Sequence, residues 1–239
     1  ILAGLLGVWF ASYVSAYPHL LTFFNLAAGG PKRGAEHLVD SNLDWGQHLK
    51  LLKRWMDVRG VRRINLAYFG IADPEYRGIS AVMLPGSRDY LAERVAPPEL
   101  PGYVAISETI ASGVHMAPEW RQFYAGFEAL EPVAVLGHTL KIYYLAQWPE
   151  PDAAANEEEL MTRAMLAERL RSLRWSSYAA QFYRNYLRHV PDDLAVYLHL
   201  AQASLDSGDS EAAAQAHAQE VALARQGFDP NRQVAVRLI

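Results

Sequence analysis

The chain has 239 residues, 51% of them hydrophobic and 20% charged, which is enough apolar content to bury a core in one large or two small domains and too much for a disordered chain. Its formal charge of -4 gives no basic excess to neutralise phosphates, which argues against nucleic acid as a partner. Cysteine is absent, and with it disulfides, thiolate nucleophiles and thiolate metal sites.

From Ile1 to Ala16 the sequence ILAGLLGVWFASYVSA carries no charge, and Trp9, Phe10 and Tyr13 gather toward its later half. A full bilayer span takes roughly 20 apolar residues, and aromatic residues favour the interface. The run therefore reads as the end of a membrane helix cut at its start, with Tyr13, Tyr17 and His19 near the headgroups and the chain a segment of a longer protein. A buried core helix is the alternative. A signal peptide fits poorly, since no basic region precedes the run and the first charge is Lys32. Pro18 ends the helix, and HLLTFFNLAAGGP suits a short amphipathic element lying on the membrane surface, so that residues 1–30 form a membrane-associated segment.

Residues 31–149 read as an α/β domain. Ser41 and Asp44 have the spacing of a capping box, predicting a helix on which Trp45, Leu49, Leu52 and Met56 share one face and which Gly60 stops. Arg62 to Phe69 predicts a strand with Ile64, Leu66 and Tyr68 on one side, followed by the turn-rich ADPEYRG. Further strands are expected at Tyr103–Ser107, Val133–Leu136 and Thr139–Ala146, with a helix from about Glu119 to Leu130. The alternation of helix and strand favours a small α/β sandwich.

An acidic, Pro- and Ala-rich stretch, PEPDAAANEEE, marks a boundary, and everything beyond it is helical. Leu166, Ala167 and Ala179 recur 34 residues later as Leu200, Ala201 and Ala213, which is the tetratricopeptide period. Pro191 closes the first unit, Tyr183 and Tyr186 are its bulky packing positions, and Gly208-Asp209 turns within the second. Residues 155–228 thus read as two tetratricopeptide-like hairpins, with a generic four-helix tail as the alternative. Arg163, Arg171, Arg174 and Arg184 are expected on its exposed surface and form no pocket motif.

The densest polar cluster is DSNLDWGQHLK, which sets Asp40, Asn42, Asp44 and Gln47 around Trp45. Carboxylates and amides supply the directional acceptors and donors that sugar hydroxyls need, and an indole can stack on an apolar sugar face. Asp40, Ser41 and Asp44 could equally serve only to cap a helix, whose free N–H groups attract carboxylates for structural reasons. No metal site or cofactor is expected: Asp40 and Asp44 lack further oxygen ligands, His37, His48, His115 and His138 lack zinc spacing, and no phosphate-cradling glycine loop occurs. Ser107, in YVAISET, lacks the glycine elbow of an exposed nucleophile.

Taken together, YPHLLTFFNLAAGGP, DSNLDWGQHLK, LAYFGIADPEYRGI and PGYVAIS resemble the C-terminal region of bacterial membrane glycosyltransferases of the protein-mannosyltransferase-like type. The resemblance covers about Ala11 to Trp148. It implies a multi-pass enzyme that moves a sugar from a polyprenyl-phosphate donor to an acceptor on the outer side of the membrane, with catalytic acids in an early loop outside this chain. Asp40, Asn42, Asp44, Trp45 and Gln47 match the family pattern residue by residue and are the candidate substrate-binding set; none is expected to be catalytic. Leu21, Leu26 and His48 depart from it, each where a polar or aromatic group is usual. Lys32 and Arg33, the charges nearest the apolar run, pull instead toward a cytoplasmic placement.

The expectation is an extracytoplasmic accessory module beside a lipid-borne donor, with membrane lipid and a polyprenyl-phosphate sugar as partners. The rival is a membrane-tethered interaction protein whose helical repeats recruit a protein partner.

Overall fold

A computed structural model describes residues 2–39, 43–86, 95–151 and 156–226, which fall into two compact units. The first comprises residues 1–117 and 129–149, and the second residues 118–128 and 150–239.

In the first unit, helix α1 (Leu2–Ala16) exposes Leu2, Leu5, Leu6, Val8, Trp9, Phe10, Tyr13 and Val14, spread around its whole circumference, and buries only Ser12 and Ala16. At a rise of about 1.5 Å per residue it reaches about 22 Å, short of the roughly 30 Å of a hydrocarbon core. Among the described residues no helix is long and apolar enough to cross a membrane. After Pro18 the chain folds back in short 3-10 turns, and the Leu26 N–H donates to Ser12 Oγ at 3.1 Å, which in turn donates to the Val8 carbonyl at 2.8 Å. The one polar side chain buried on α1 is thus spent tying down the segment that follows it.

Helix α2 (Leu49–Arg59) ends at Gly60, whose left-handed φ of 67° is the expected helix stop. It lays Leu49, Leu52 and Met56 on one face of a five-stranded sheet in the order β2-β1-β3-β5-β4. The strands are β1 (Ile64–Ala67), β2 (Ala81–Met83), β3 (Gly102–Ser107), β4 (Ala134–Leu136) and β5 (Leu140–Leu145). Strand β1 pairs in parallel with both β2 and β3, while β3 to β5 and β5 to β4 are antiparallel. Ile64, Leu66 and Tyr68 face α2, as the period-2 pattern predicts, and pack there with Ala105, Leu140 and Ile142. On the other face Asn65 is buried without penalty, because it donates to the Glu99 and Tyr103 carbonyls and accepts from the Glu99 N–H. The fold is therefore mixed α/β. Strand β2, three residues of an apolar run without alternation, is an addition to the elements predicted from sequence.

A short helix α3 (Glu108–Ala111) follows β3 directly, and α4 (Pro118–Tyr124) with the 3-10 turn Ala125–Ala129 replaces the single longer helix expected there. Although α4 lies within the α/β stretch of sequence, it belongs to the second unit, where fully buried Phe123 stacks on Phe182 and packs against Trp175.

The rest of the second unit is α5 (Glu157–Ser172), α6 (Ser176–Leu187), α7 (Leu194–Asp206) and α8 (Ser210–Gln226). Asn156 and Glu159 cap α5 reciprocally. Leu166, Ala167 and Ala179 are buried, and so are their 34-residue counterparts Leu200, Ala201 and Ala213. Asp193 caps α7 by accepting from the Val196 N–H and also holds the buried Tyr186 hydroxyl. Arg163, expected on the surface, is buried and donates to Gln122 and Asn185.

Candidate functional site

In a parallel sheet, a crevice opens at the carboxyl ends of two adjacent strands whose outgoing connections run to opposite sides, and here β1 leads on to β2 on one side while β3 leads on to β4 on the other. Here that place is the gap between the ends of β1 and β3, after Ala67 and at Ser107. The two ends are stitched together by the Phe69 N–H, which donates to the buried Ser107 hydroxyl at 3.2 Å.

The turn of residues 43–48 lies against this gap. Asp44 is 1% exposed; its Oδ1 accepts from the Gly46 N–H at 3.0 Å, while its Oδ2 is buried without a hydrogen-bond partner. Burial pushes the Asp44 carboxyl above the usual carboxylate range, and the Gly46 N–H, the Ser107 hydroxyl and the Phe69 and Trp45 N–H groups offset part of that rise. Ser107 and Phe69 thus act on the carboxylate as nearby dipoles, with no bond of ordinary geometry to Oδ2.

The turn is held in place by close backbone approach. Gly70 has φ 142°, and a Cβ there would lie 2.3 Å from the Trp45 carbonyl carbon and oxygen. Trp45 itself stays 39% exposed and meets Phe69 edge-on at 5.0 Å, and Phe69 stacks on His115 at 4.9 Å. Beside them Glu108, the residue after β3, pairs with Lys141 of β5 at 2.8 Å.

The predicted cluster is thus divided. Asp40 and Asn42 lie outside the described residues, as does Ser41. Asp44 and Trp45 stand together at the crevice. Gln47 is exposed, but its Oε1 accepts from the Trp45 N–H at 2.6 Å and its Nε2 donates to the Leu43 carbonyl at 3.0 Å, so both ends of its amide pin the turn. The capping role expected of Asp44 is not realised. Helix α2 begins only at Leu49, with His48 at its N-cap and no side-chain cap, because the chain is still turning through Gly46 at φ 80°. Trp45 is accordingly in the turn, not on the helix.

Sequence reasoning missed Ser107, Phe69 and His115 as members of this site. Ser107 drew attention only as a nucleophile, whereas its place is that of a bridge between strand ends; the one cue to it was its position as the last residue of a predicted strand.

Chemically, the site offers a carboxylate with an uncommitted oxygen next to a half-exposed indole. The first, closed to solvent in this arrangement, can hold a proton and would reach a ligand hydroxyl only on opening of the turn of residues 43–48, and the second provides an apolar platform, the combination of few polar groups and an aromatic wall that small-molecule sites use. Among the described residues no group of His, Asp or Glu could hold a metal ion. No protein-family model, curated protein or solved structure matches the chain.

Proposed function

We propose that the chain is the accessory, extracytoplasmic part of a membrane glycosyltransferase that draws its sugar from a polyprenyl-phosphate donor, with the catalytic acids outside this chain. In this reading the α/β unit holds a saccharide portion of donor or acceptor at the crevice between β1 and β3, and α1 with its fold-back segment keeps that unit against lipid. The observation that carries the proposal is Asp44, a buried carboxylate with a free oxygen beside half-exposed Trp45. A protein that needed this residue only for folding would gain by replacing it with a neutral one, since an unsatisfied buried acceptor costs about 1–3 kcal/mol. The all-round apolar exposure of α1 supports lipid contact, because a helix docked on protein hides one stripe and exposes a polar one.

Transfer kinetics in the enzyme carrying this chain provide the test. Trp45→Ala removes a platform that is already half in solvent, so stability should change by less than about 1 kcal/mol while kcat/KM falls at least tenfold, the loss of one stacking contact. Unchanged kinetics in both Trp45→Ala and Asp44→Ala would remove the saccharide role.

A second reading, recruitment of a protein partner by the tail, rests on the two helical hairpins, which we read as tetratricopeptide-like from the 34-residue recurrence of buried small residues. Leu198 and Leu205 of α7 are exposed apolar residues on that tail. Deleting the tail would uncover Phe123, so surface substitution is the sharper experiment. If recruitment is the function, Leu198→Glu with Leu205→Glu abolishes complex formation and leaves the unfolding midpoint in place. An accessory glycosyltransferase module keeps full transfer activity in the same variant.

A further inference from the structure

Three histidines from separate parts of the first unit meet at the foot of α1. His19 follows the helix, His48 caps α2, and His138 sits in the turn between β4 and β5 with a left-handed φ of 72°. The His19 ring meets His48 edge-on at 5.2 Å and His138 at 5.7 Å. His48 forms the floor: it is 2% exposed, its Nδ1 is hydrogen-bonded to Thr139 Oγ1 at 3.1 Å, and its Nε2 is buried without a partner against Gly137, where a Cβ would fall 2.0 Å away. His19 and His138 are partly exposed and form the mouth, and Lys32 acts on His138 from outside.

All of these groups are of one sign when charged. Neighbouring Arg33 is paired with Glu36, whereas among the described residues Lys32 joins no ion pair. Burial, then His19 and His138, hold His48 down to about 4, and burial, then His19 and Lys32, hold His138 below its usual value. The cluster therefore resists its own protonation, and an anion at the mouth would offset that resistance. A metal does not fit, since Nε2 of His48 is closed off by Gly137 and no metal-capable group is found among the described residues.

We propose that His19, His138 and Lys32, on the floor made by His48, bind a phosphate group. Imidazolium N–H groups and the ammonium would each donate a charge-assisted bond to its oxygens. Bound phosphate favours the protonated imidazoles and therefore raises their midpoints. The same chemistry is offered by free phosphate and by a phosphomonoester lipid headgroup. The lipid as source rests on the membrane placement proposed above; the anion site does not.

The test is a histidine titration by NMR on the whole chain in maltoside micelles, which contain no phosphate. Inorganic phosphate, and separately phosphatidic acid added to the micelles, should raise the His19 and His138 midpoints by about one pH unit, the effect of a nearby opposite charge. Chloride at matched ionic strength should not. A rise with either probe or both supports the site, and a rise with one alone identifies its source. Midpoints unmoved by both, or moved equally by chloride, overturn it, and this measurement needs no variant. Lys32→Ala with His138→Gln should abolish the rise; a rise that persists also overturns the assignment. Sedimentation with vesicles of uncharged galactolipid reports on the membrane reading separately, so the two can fail independently.

Discussion

Gly70→Ala should lower the stability of the α/β unit by about 2–6 kcal/mol. Two costs combine. An L-residue held at the φ of 142° found here pays about 1–3 kcal/mol in backbone strain. The new Cβ would also lie 2.3 Å from the Trp45 carbonyl carbon and oxygen and 2.7 Å from the Gly46 nitrogen, all backbone atoms that cannot rotate aside. Forcing extra volume into packed structure typically adds a further 1–3 kcal/mol. The control is Gly60→Ala, also left-handed at φ 67° but facing open space, whose cost should stay near 1 kcal/mol. Urea unfolding followed by tryptophan fluorescence compares the two. Equal midpoints would mean that the turn of residues 43–48 is free to move away from the end of β1, and the crevice would lose the rigidity on which the site depends.

That turn also shows how far sequence reasoning reaches. The alternation in Ile64, Leu66 and Tyr68 found β1 because each residue meets the same α2 face, a local pattern with a single physical cause. The start of α2 was misplaced although the spacing of Ser41 and Asp44 fits a capping box and Trp45 is in phase with Leu49, Leu52 and Met56. Phase cannot tell a residue on a helix from one that a left-handed glycine has turned away, and Gly46 does that. Strand β2 escaped notice because its three residues are defined by pairing with β1 across the intervening loop, not by a period of their own. The position of α4 in the second unit depends on Phe123 finding Phe182, a contact between residues far apart in sequence. At the site, Asp44 and Trp45 were legible from residue type, but the engagement of Gln47 by its own turn and the bridge through Ser107 arise only when the strand ends come together. The meeting of His19, His48 and His138 is of the same kind: their spacing in sequence rules out one helix face and says nothing about three loops.

Asp44→Asn should make the protein more stable and less active at once. Burial is the main cause of the raised Asp44 carboxyl, so the folded state holds its proton more tightly than the unfolded state does. Where the folded chain binds more protons, stability falls as pH rises. The Asp44 contribution is therefore intact below the unfolded carboxylate value of 3.8, declines as pH passes through the raised folded value, and remains lost above it. Asparagine carries no charge at any pH, keeps an oxygen for the Gly46 N–H, and places an amide where Oδ2 now lacks a partner. The difference in unfolding free energy between variant and parent should be small near pH 3.5 and grow to about 1–3 kcal/mol in favour of Asn by pH 7, the cost of holding a charge on an unsatisfied buried carboxylate. Taking the difference cancels the other carboxylates, which titrate in both proteins. A flat difference, or a less stable variant at neutral pH, would show that Oδ2 is well served by groups inside the fold, and the case for a ligand at this oxygen would go with it. A stabilised variant that transfers sugar at the parental rate would separate the two halves: the strain would be real, but the ligand would be bound elsewhere.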